Sequence, residues 1–273
     1  MSEHPVIVVR ASAWPTLFDC PHRFYWQNVY GLRSPSAGRA ALGTAIHGGT
    51  AAYDQAALEG NPISVLDAVD ASRELIAHPE DEVVWDADLT MSDADQLATT
   101  LTTKYCHDIA PDHQFTAVEL QCEALDVETA QGIVRLTGKT DRIRVLEDGR
   151  KGIVDLKSGA TATVELDNGE RRANTKGHHM QQGVYTLMAE QSTQERMDAP
   201  AMIIGLQTTK KTPVAVGEMP DVKTALLGMD GMPGLIEMAA AMGKSGSFPP
   251  NPKSMLCSAK YCPAHAHHCK YHD

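Results

Sequence analysis

The stretch Lys151-Gly152-Ile153-Val154-Asp155-Leu156-Lys157-Ser158-Gly159 decides the fold of this chain. Its apolar residues predict a strand, and strand side chains alternate between the two faces of a sheet, so Asp155 and Lys157 project from the same face. A carboxylate and an ammonium group therefore lie side by side. Taken alone, the triplet is more typical of a solvated cross-strand ion pair on a half-exposed strand. Other motifs in the sequence therefore have to distinguish a catalytic pair from a solvated one.

A second strand is predicted immediately upstream, over residues 133–145. The connecting segment Glu147-Asp148-Gly149-Arg150 contains an Asp-Gly pair, which is typical of a tight hairpin turn. This hairpin sets Asp141 against Asp155. Two neighbouring carboxylates repel each other unless a cation lies between them, and Mg²⁺ is bound by one or two carboxylates together with substrate phosphate. Lys157 could then orient or deprotonate a water molecule for attack on that phosphate.

The composition is that of an ordinary soluble globular protein, with 273 residues, 42% of them hydrophobic and 22% charged. This length suits one domain with elaborations or two small ones. No apolar run reaches membrane-spanning length, and the N-terminus lacks a basic region followed by an apolar core. We therefore expect a cytoplasmic protein without a membrane partner. The formal charge of −11 argues against a uniformly basic surface but permits a local groove that binds phosphates.

The predicted elements describe a mixed sheet covered by helices. Helical patterns occupy residues 12–31 (two short helices broken at Pro21), 39–58, 61–112, 177–189 and 222–242, and further strands occupy 115–123 and 201–207. Capping boxes are predicted at Ser64 and Ser92. His47 lies on the small-residue helix 39–58, where a lone histidine is commonly a structural residue near the core. The aromatic residues of 12–31 are expected to pack into a core or against the C-terminus.

Six cysteines in an intracellular chain indicate metal ligation rather than disulfides. Cys257, Cys262 and Cys269 are separated by four and six residues, and Cys20 precedes a proline far upstream. Four thiolates suit either a 4Fe–4S cluster or zinc. Structural zinc sites usually combine two pairs of cysteines, each pair with two residues between its members. Neither end of the chain has such a pair, so the cluster is favoured over zinc.

Two other features bear on the cysteine site. Three nearby histidines keep zinc open as an alternative; they are His265, His267 and His268. Cys106 and Cys122 lie outside the pattern and are interpreted as ordinary buried thiols.

Six short motifs follow one another along the chain in an order that resembles a known family. They are Cys20-Pro21, Gly43 with His47, Gly138 with Asp141, Asp155 with Lys157, Gln181 with Tyr185, and the C-terminal cysteine triplet. The chain resembles the PD-(D/E)XK nuclease superfamily, in the RecB-like branch that carries an iron–sulfur cluster. It is similar there to the CRISPR-associated exonuclease and its phage-borne relatives. The resemblance spans residues 12–269. The family usually spaces the triplet two and five residues apart, so this chain departs from it at that point.

The resemblance implies an α/β (mixed α+β) fold with a four-stranded mixed sheet flanked by helices. This restriction-endonuclease-like core would carry a helical insertion and a metal-cluster clamp joining the termini. A single nuclease domain over residues 1–273 is expected. Its parts are an N-terminal cluster arm (12–38), the helix with His47 (39–60), the helical insertion (61–112), the catalytic core (113–213), and the C-terminal helix with the cysteine cluster (214–273).

The resemblance also implies a metal-dependent DNA exonuclease that hydrolyses phosphodiester bonds, on single-stranded DNA or DNA ends, in recombination, repair or phage- and CRISPR-related DNA processing. Alternatives are an endonuclease of the same fold and a non-catalytic DNA-binding subunit. DNA is the expected partner, with recombination or CRISPR-adaptation proteins as possible associates.

The family pattern assigns roles to individual residues. The ligands of Mg²⁺ or Mn²⁺ are expected to be His47, Asp141, Asp155 and the carbonyl of Leu156. Lys157 would position the nucleophilic water and stabilise charge at the phosphate. Gln181 and Tyr185 complete the expected catalytic set, by orienting Lys157 or contacting the strand. The expected 4Fe–4S ligands, with zinc as the alternative metal, are Cys20, Cys257, Cys262 and Cys269. Glu119 is either a further acid of the site or, more simply, a surface residue.

Overall fold

The structure is a computed structural model that describes residues 5–271. Its α-helices are α1 (Trp14–Asp19), α2 (Pro21–Phe24), α3 (Gly38–Leu58), α4 (Val65–Ala77), α5 (Met91–Lys104), α6 (His179–Thr193), α7 (Thr224–Leu227) and α8 (Leu235–Ser245). Wider π turns continue α2 over Tyr25–Val29 and α5 over Tyr105–Ile109. No helix in the described part of the chain is long and apolar enough to cross a membrane.

The strands fall into one large sheet, one three-stranded sheet and several short pairs. They are β1 (Ile7–Arg10), β2 (Ser36–Ala37), β3 (Val83–Val84), β4 (Gln114–Gln121), β5 (Leu125–Thr129), β6 (Gly132–Thr137), β7 (Lys139–Val145), β8 (Lys151–Gly159), β9 (Thr163–Glu165), β10 (Arg171–Ala173), β11 (Ala201–Gln207), β12 (Val214–Met219), β13 (Gly228–Met229) and β14 (Met232–Pro233).

The central sheet is mixed, as predicted, but it has five strands rather than four, in the order β12-β11-β8-β7-β4. β8 lies in the middle, antiparallel to β7 and parallel to β11. The additional strand is β12, which pairs antiparallel with β11 at the edge of the sheet. Its sequence, Val-Ala-Val-Gly-Glu-Met, buries only alternate residues and contains a glycine. Short half-buried edge strands of this kind give a weak sequence signal.

The single strand predicted over residues 133–145 is wrong, because the chain breaks it at Gly138. β6 belongs to the three-stranded sheet β1-β6-β5, whereas β7 belongs to the central sheet. A Cβ atom at Gly138 would lie 3.2 Å from the Cβ of Ala11 and 3.4 Å from the ring of Tyr185. The glycine therefore lets the chain pass from one sheet to the other while the N-terminal segment and α6 approach closely.

The two faces of the central sheet bury separate apolar cores. One core packs α3, α4 and α5 against Val154 and Leu156 of β8. The other packs α1, α6 and α8 around Ile153 of the same strand. β8 therefore alternates between the two cores, which explains why its apolar run is continuous. Each fully buried Leu or Ile side chain contributes about 1.5–3 kcal/mol to folding, so β8 anchors both layers.

The helical insertion begins with the predicted capping box at Ser64, where Ser64 Oγ accepts from the amide of Asp67 and Asp67 Oδ2 accepts from the amide of Ser64. The second box starts at Thr90 and not at Ser92. Leu89, which precedes the cap, is buried in the same apolar core as Ala94 in the first turn. This hydrophobic staple selects the earlier start of the helix.

Residues 222–242 were predicted as one helix, and this is wrong. The chain forms α7, then the β13–β14 hairpin, then α8. Gly228 and Gly231 take φ values of 82° and 79°, which lie in the left-handed region, and Pro233 follows them. These residues end one helix and turn the chain before the next can begin.

The aromatic residues of the N-terminal arm pack into a core and against the C-terminal segment, as predicted. Trp14 and Phe24 are fully buried. The ring of Tyr25 lies 5.4 Å from that of Phe248, and the ring of Trp26 lies 4.6 Å from that of His268. The two ends of the described chain are therefore in direct contact.

Candidate functional site

The predicted hairpin between β7 and β8 brings two carboxylates to adjacent strands. Arg142 is paired with Val154, so Asp141 and Asp155 occupy the next positions of the two strands. Asp141 Oδ2 accepts a hydrogen bond from the amide of Leu156 at 2.8 Å. On the neighbouring strand, Asp155 Oδ2 lies 2.6 Å from Lys157 Nζ. The acid and base of the Asp155-Leu156-Lys157 triplet thus form an ion pair beside Asp141.

The carboxyl group of Asp155 is held in an unfavourable environment for a negative charge. Its side chain is only 2% exposed. Burial raises the pKa of Asp155 to about 6, with Asp141 adding to the rise and Lys157 and His47 opposing it. A cation bound between the two aspartates would remove this penalty, because opposite charge favours the ionised form. The electrostatics of the pair therefore suit a metal ion.

The side chains of His47 and Glu119 converge with that of Asp141. The ligand atoms of His47, Glu119 and Asp141 all lie within 4.8 Å of one another. His47 Nδ1 is 3.4 Å from Asp141 Oδ2. One imidazole and two carboxylates make a mixed nitrogen and oxygen ligand set that suits Mn²⁺ or Mg²⁺. Of the predicted ligands, His47 and Asp141 belong to this group, whereas Asp155 lies outside it.

Glu119 is the site residue that the sequence prediction undervalued, since a surface position was the simpler interpretation. It lies on β4 between Val118 and Leu120, which pair with β7, and it faces Asp141 without pairing. Its φ of 51° is in the left-handed region. A non-glycine residue in that region costs on the order of 1 kcal/mol, and such strain is concentrated at functional sites. The available sequence signal was an acid on the strand next to the hairpin.

One buried guanidinium connects the elements that carry the three donors. Arg142 Nε donates to Asp54 Oδ2 at 2.7 Å, and Nη1 donates to the carbonyl of Asp141 at 2.9 Å. The same Nη1 lies 3.4 Å from Glu119 Oε1, and Nη2 donates to Thr50 Oγ1 at 3.3 Å. These contacts join α3, β4 and β7. Arg142 therefore fixes the relative positions of the strands and helix that supply the ligands.

Gly43 explains how α3 presents His47 to the sheet. A Cβ atom at Gly43 would lie 3.0 Å from Ser158 Oγ, so the helix passes close to β8 at this point. His47 follows one turn later and lies on the same face of the helix. Gly43 therefore allows the close packing of α3 on β8, and this packing positions the imidazole of His47 at the sheet.

Gln181 and Tyr185 lie together on α6, where Gln181 Nε2 donates to the hydroxyl of Tyr185 at 3.0 Å. Burial raises the pKa of Tyr185, and the charges of Asp155 and Asp141 raise it further. The hydroxyl is therefore close to both carboxylates and keeps its proton at neutral pH. Within residues 5–271, the side chain of Gln181 is hydrogen-bonded to Tyr185 and makes no such bond to Lys157.

His178, which precedes α6, was not predicted as a site residue. Burial and, to a smaller extent, the charge of Lys157 lower its pKa to about 4. The imidazole is therefore neutral at physiological pH and lies within electrostatic reach of Lys157. A histidine beside another histidine at the start of a helix was the only sequence signal for it.

Asp141 and Tyr185 open onto a cleft with a volume of about 450 Å³. Arg10 and Lys139 also line this cleft. Lys139 forms an ion pair with Glu119, so one cation already lies beside the donor group. The site therefore combines carboxylates that attract a metal ion with cations that attract an anionic substrate.

Residues 11–270 match the model of the family described as the PD-(D/E)XK nuclease superfamily. The chain belongs to this superfamily. The assignment of the motif's two acids and its lysine to Asp141, Asp155 and Lys157 stays a prediction for this PD-(D/E)XK protein. No curated protein matches the chain.

Solved structures share the fold of this PD-(D/E)XK protein. A crystal structure from Eubacterium rectale named "Putative exonuclease" superimposes with a TM-score of 0.52 and 16% identity, covering 90% of this chain and 84% of that chain. A second solved protein, SSO0001, has a TM-score of 0.41 and 11% identity, with 94% and 83% covered. The first likeness shows the fold alone, and the second is too low to support an argument.

The four cysteines predicted as metal ligands line one cavity at the contact between the chain ends; they are Cys20, Cys257, Cys262 and Cys269. The amide of Asn251 donates to Cys20 Sγ at 3.4 Å. Burial raises the pKa of Cys262, and the charge of Arg23 is among the effects that lower it. Cys106 and Cys122 are buried elsewhere, in the two apolar cores.

The described donor atoms at this cavity are not arranged as a closed metal site. Among residues 5–271, no three cysteine or histidine donor atoms lie within 4.8 Å of one another. A tetrahedral zinc site has Zn–S bonds of about 2.3 Å, which places its sulfur atoms roughly 3.8 Å apart. The described residues therefore hold no preformed tetrahedral zinc site at this cavity, and the metal that the cysteines would bind stays a prediction.

Proposed function

We propose that this protein is a metal-dependent deoxyribonuclease that acts as an exonuclease on single-stranded DNA or DNA ends, with Mg²⁺ or Mn²⁺. The observation that carries the proposal is the convergence of His47, Glu119 and Asp141 within 4.8 Å, beside an Asp155–Lys157 ion pair. Such a group combines cation ligands with a fixed positive charge next to the position of a scissile phosphate.

In this proposal His47, Glu119 and Asp141 hold the metal ion, and Asp155 and the carbonyl of Leu156 complete its ligands. The ion, when bound, supplies Lewis-acid polarisation of the phosphate and acidifies a water molecule. Lys157 orients that water and stabilises the negative charge that develops on the phosphate oxygens. Tyr185, which stays protonated, donates a hydrogen bond to a phosphate oxygen. His178 is neutral and does not compete with Lys157 for the anion.

A path for the DNA strand leads away from the cleft along two arginines. Arg10 and Ser12 line both the catalytic cleft and a neighbouring cavity that contains Arg33. Neither arginine forms an ion pair with any residue of the described range 5–271. Unpaired cations in a chain of net charge −11 mark a local attraction for phosphates. The amides of Gln27 and Asn28 can add hydrogen bonds along this path.

We also propose that the four cysteines hold a 4Fe–4S cluster that clamps the termini together, with zinc as the alternative metal. The four cysteines line one cavity, and this convergence supports a metal centre. Protein contacts already join the two ends at the same place, since Asn251 Nδ2 donates to the carbonyl of Asp19 at 2.8 Å and Ser254 Oγ donates to Asp19 Oδ2 at 2.6 Å. A cluster bound here would add its binding energy to folding. Association with recombination or CRISPR-adaptation proteins stays a prediction.

The test is time-resolved digestion of DNA with Mn²⁺, with Mg²⁺ and with EDTA. The substrates are linear single- and double-stranded DNA labelled at either end, and closed circular DNA. Metal-dependent release of short products from the ends, without cleavage of the circle, is expected. Early cleavage of the circle would instead identify an endonuclease, and DNA binding without cleavage in either metal would identify a non-catalytic subunit. Asp141→Asn is the inactive control.

A further inference from the structure

Arg23 is a cation buried at the cysteine cavity. The residue is only 8% exposed, and it lines the cavity together with the four cysteines. It lies on the short helix α2, which directly follows Cys20 at its N-cap. Burying a guanidinium group is costly unless negative charge or hydrogen-bond acceptors compensate it. The hydrogen-bond partners of the guanidinium nitrogens therefore decide whether this cost is compensated.

The described residues satisfy only one nitrogen of this guanidinium. Arg23 Nη2 donates to Thr16 Oγ1 at 3.0 Å. Nε and Nη1 are buried and have no acceptor among residues 5–271. The nearby carboxylate of Asp19 accepts from Ser254 and forms no ion pair with Arg23 in this range. Thr16 thus anchors one edge of the group, and the residue lines the cavity to which the four cysteines also contribute.

We propose that Arg23 is the internal counter-cation of a metal–thiolate centre held by Cys20, Cys257, Cys262 and Cys269. This inference rests on the proposed cysteine-bound centre and not on the nuclease activity. Four thiolates outweigh the positive charge of a 4Fe–4S core or of zinc, so the centre is an anion. Arg23 supplies the missing positive charge, and Nε and Nη1 donate hydrogen bonds to its sulfur atoms.

A counter-cation has consequences that a merely structural arginine lacks. Positive charge and hydrogen bonds at the sulfur atoms stabilise the electron-rich state of a cluster, so they raise its reduction potential. They also slow loss of the metal, because dissociation would leave Arg23 buried without a partner. Arg23 is therefore a positioning residue for the centre, with a spectroscopic and a kinetic signature.

The experiment uses the full chain, purified without oxygen, as the wild type and as Arg23→Gln, Arg23→Lys and Thr16→Val. Iron, sulfide and zinc are measured in each protein. Loss of metal to excess chelator is followed by absorbance, and the cluster is titrated with dithionite, which donates one electron to it. Arg172→Gln, at an exposed arginine without an ion pair in the described range, is the matched control.

Arg23→Gln is expected to lose its metal about tenfold faster than the wild type and to have a lower reduction potential. Arg23→Lys should keep part of both properties because the charge remains, and Thr16→Val should shift both slightly in the same direction. The control should match the wild type. If Arg23→Gln is insoluble, Arg23→Lys and Thr16→Val still decide the question. A zinc form that loses its ion faster in Arg23→Gln also supports the counter-cation.

Unchanged metal loss and unchanged potential in all three variants would overturn the inference. A wild-type chain that holds neither iron nor zinc at the cysteines would overturn it as well, even if that chain cleaves DNA with Mn²⁺. Conversely, a loaded chain that shows the expected shifts but cleaves no DNA upholds the role of Arg23 and refutes the proposed nuclease. The two proposals therefore fail separately.

Discussion

Arg142 and Asp54 form an ion pair that is almost completely removed from solvent, with Nε 2.7 Å from Oδ2 and side-chain exposures of 0% and 3%. The hydroxyl of Tyr105 donates to the same Oδ2 at 2.5 Å. Since Arg142 also contacts Glu119 and the carbonyl of Asp141, the pair links the interior of the helical layer to the metal-ligand group. Folding of the helical layer and geometry of the site are thus coupled through one guanidinium.

Asp54→Asn is expected to destabilise the protein by about 3–5 kcal/mol, because it leaves the charge of Arg142 buried without its partner. Mn²⁺ affinity should fall about tenfold as Glu119 and Asp141 lose their support. Urea unfolding and calorimetry measure the two effects. Asp95→Asn, which breaks the exposed pair with Arg73, should cost less than about 1 kcal/mol. Equal costs in the two variants would contradict the coupling.

Lys157→Ala is expected to lower the rate of DNA cleavage by about 10²–10³, since it removes the charge that acts on the water and the phosphate. The chain should still fold and bind Mn²⁺, with some loss of stability because the buried Asp155 loses its ion-pair partner. Lys151→Ala is the matched control, because Lys151 lies on the same strand and pairs with Glu195 away from the site. A Lys157→Ala protein with more than half of the wild-type rate would refute the assigned role.

Glu119→Gln is expected to weaken Mn²⁺ binding, because it removes one of the two carboxylates of the donor group. Asp141→Asn should do the same. Calorimetric titration of Mn²⁺ measures both, and Glu123→Gln, at an exposed acid just beyond β4, serves as the control. Unchanged Mn²⁺ affinity in Glu119→Gln would show that Glu119 is not a metal ligand and would support the surface position that the sequence suggested.

Asp155→Asn is expected to stabilise the metal-free protein at pH 7 while abolishing cleavage. Burial raises the folded-state pKa of Asp155 from 3.8 to about 6. Between these values the folded chain holds a proton that the unfolded chain releases, so the stability contributed by this group falls as the pH rises through that window. Above it the ionised carboxylate carries the full penalty, and its removal should gain at most about 3 kcal/mol.

Thermal unfolding in EDTA at pH 4 and pH 7 tests this expectation. The difference in unfolding temperature between Asp155→Asn and the wild type should be small at pH 4 and larger at pH 7. With saturating Mn²⁺ the wild type should become more stable than Asp155→Asn, because only the wild type retains the full ligand set. A variant that is less stable than the metal-free wild type at pH 7 would show that the ion pair with Lys157 outweighs burial.

Cys20→Ser is expected to lose the absorbance of an iron–sulfur protein and to become largely insoluble, since it removes one ligand of the proposed clamp between the termini. Cys106→Ser and Cys122→Ser should keep the metal, because both thiols are buried away from the cavity. Iron and sulfide analysis of the three soluble fractions measures the effect. A soluble Cys20→Ser protein with a full complement of metal would refute the clamp.

Short-range patterns in the sequence determined the hairpin, the capping box at Ser64, the buried strand β11 and the order of the motifs. These features depend on residues that are close neighbours in the chain, so turn chemistry and side-chain alternation are sufficient to predict them. The second helix was predicted to start at Ser92, but it starts at Thr90, where the burial of Leu89 decides, and that burial belongs to the tertiary structure.

Only the tertiary structure decided the metal-ligand group and its support. Glu119 joined the site through a left-handed backbone conformation opposite Asp141, which no local propensity favours. Arg142 and Asp54 are 88 residues apart in the chain, and Arg23 is buried beside cysteines from the other end. A polar residue looks the same in sequence whether water or a distant partner satisfies it. Burial makes that difference, because a desolvated charge is stable only where packing brings its counter-charge or its ligand within reach.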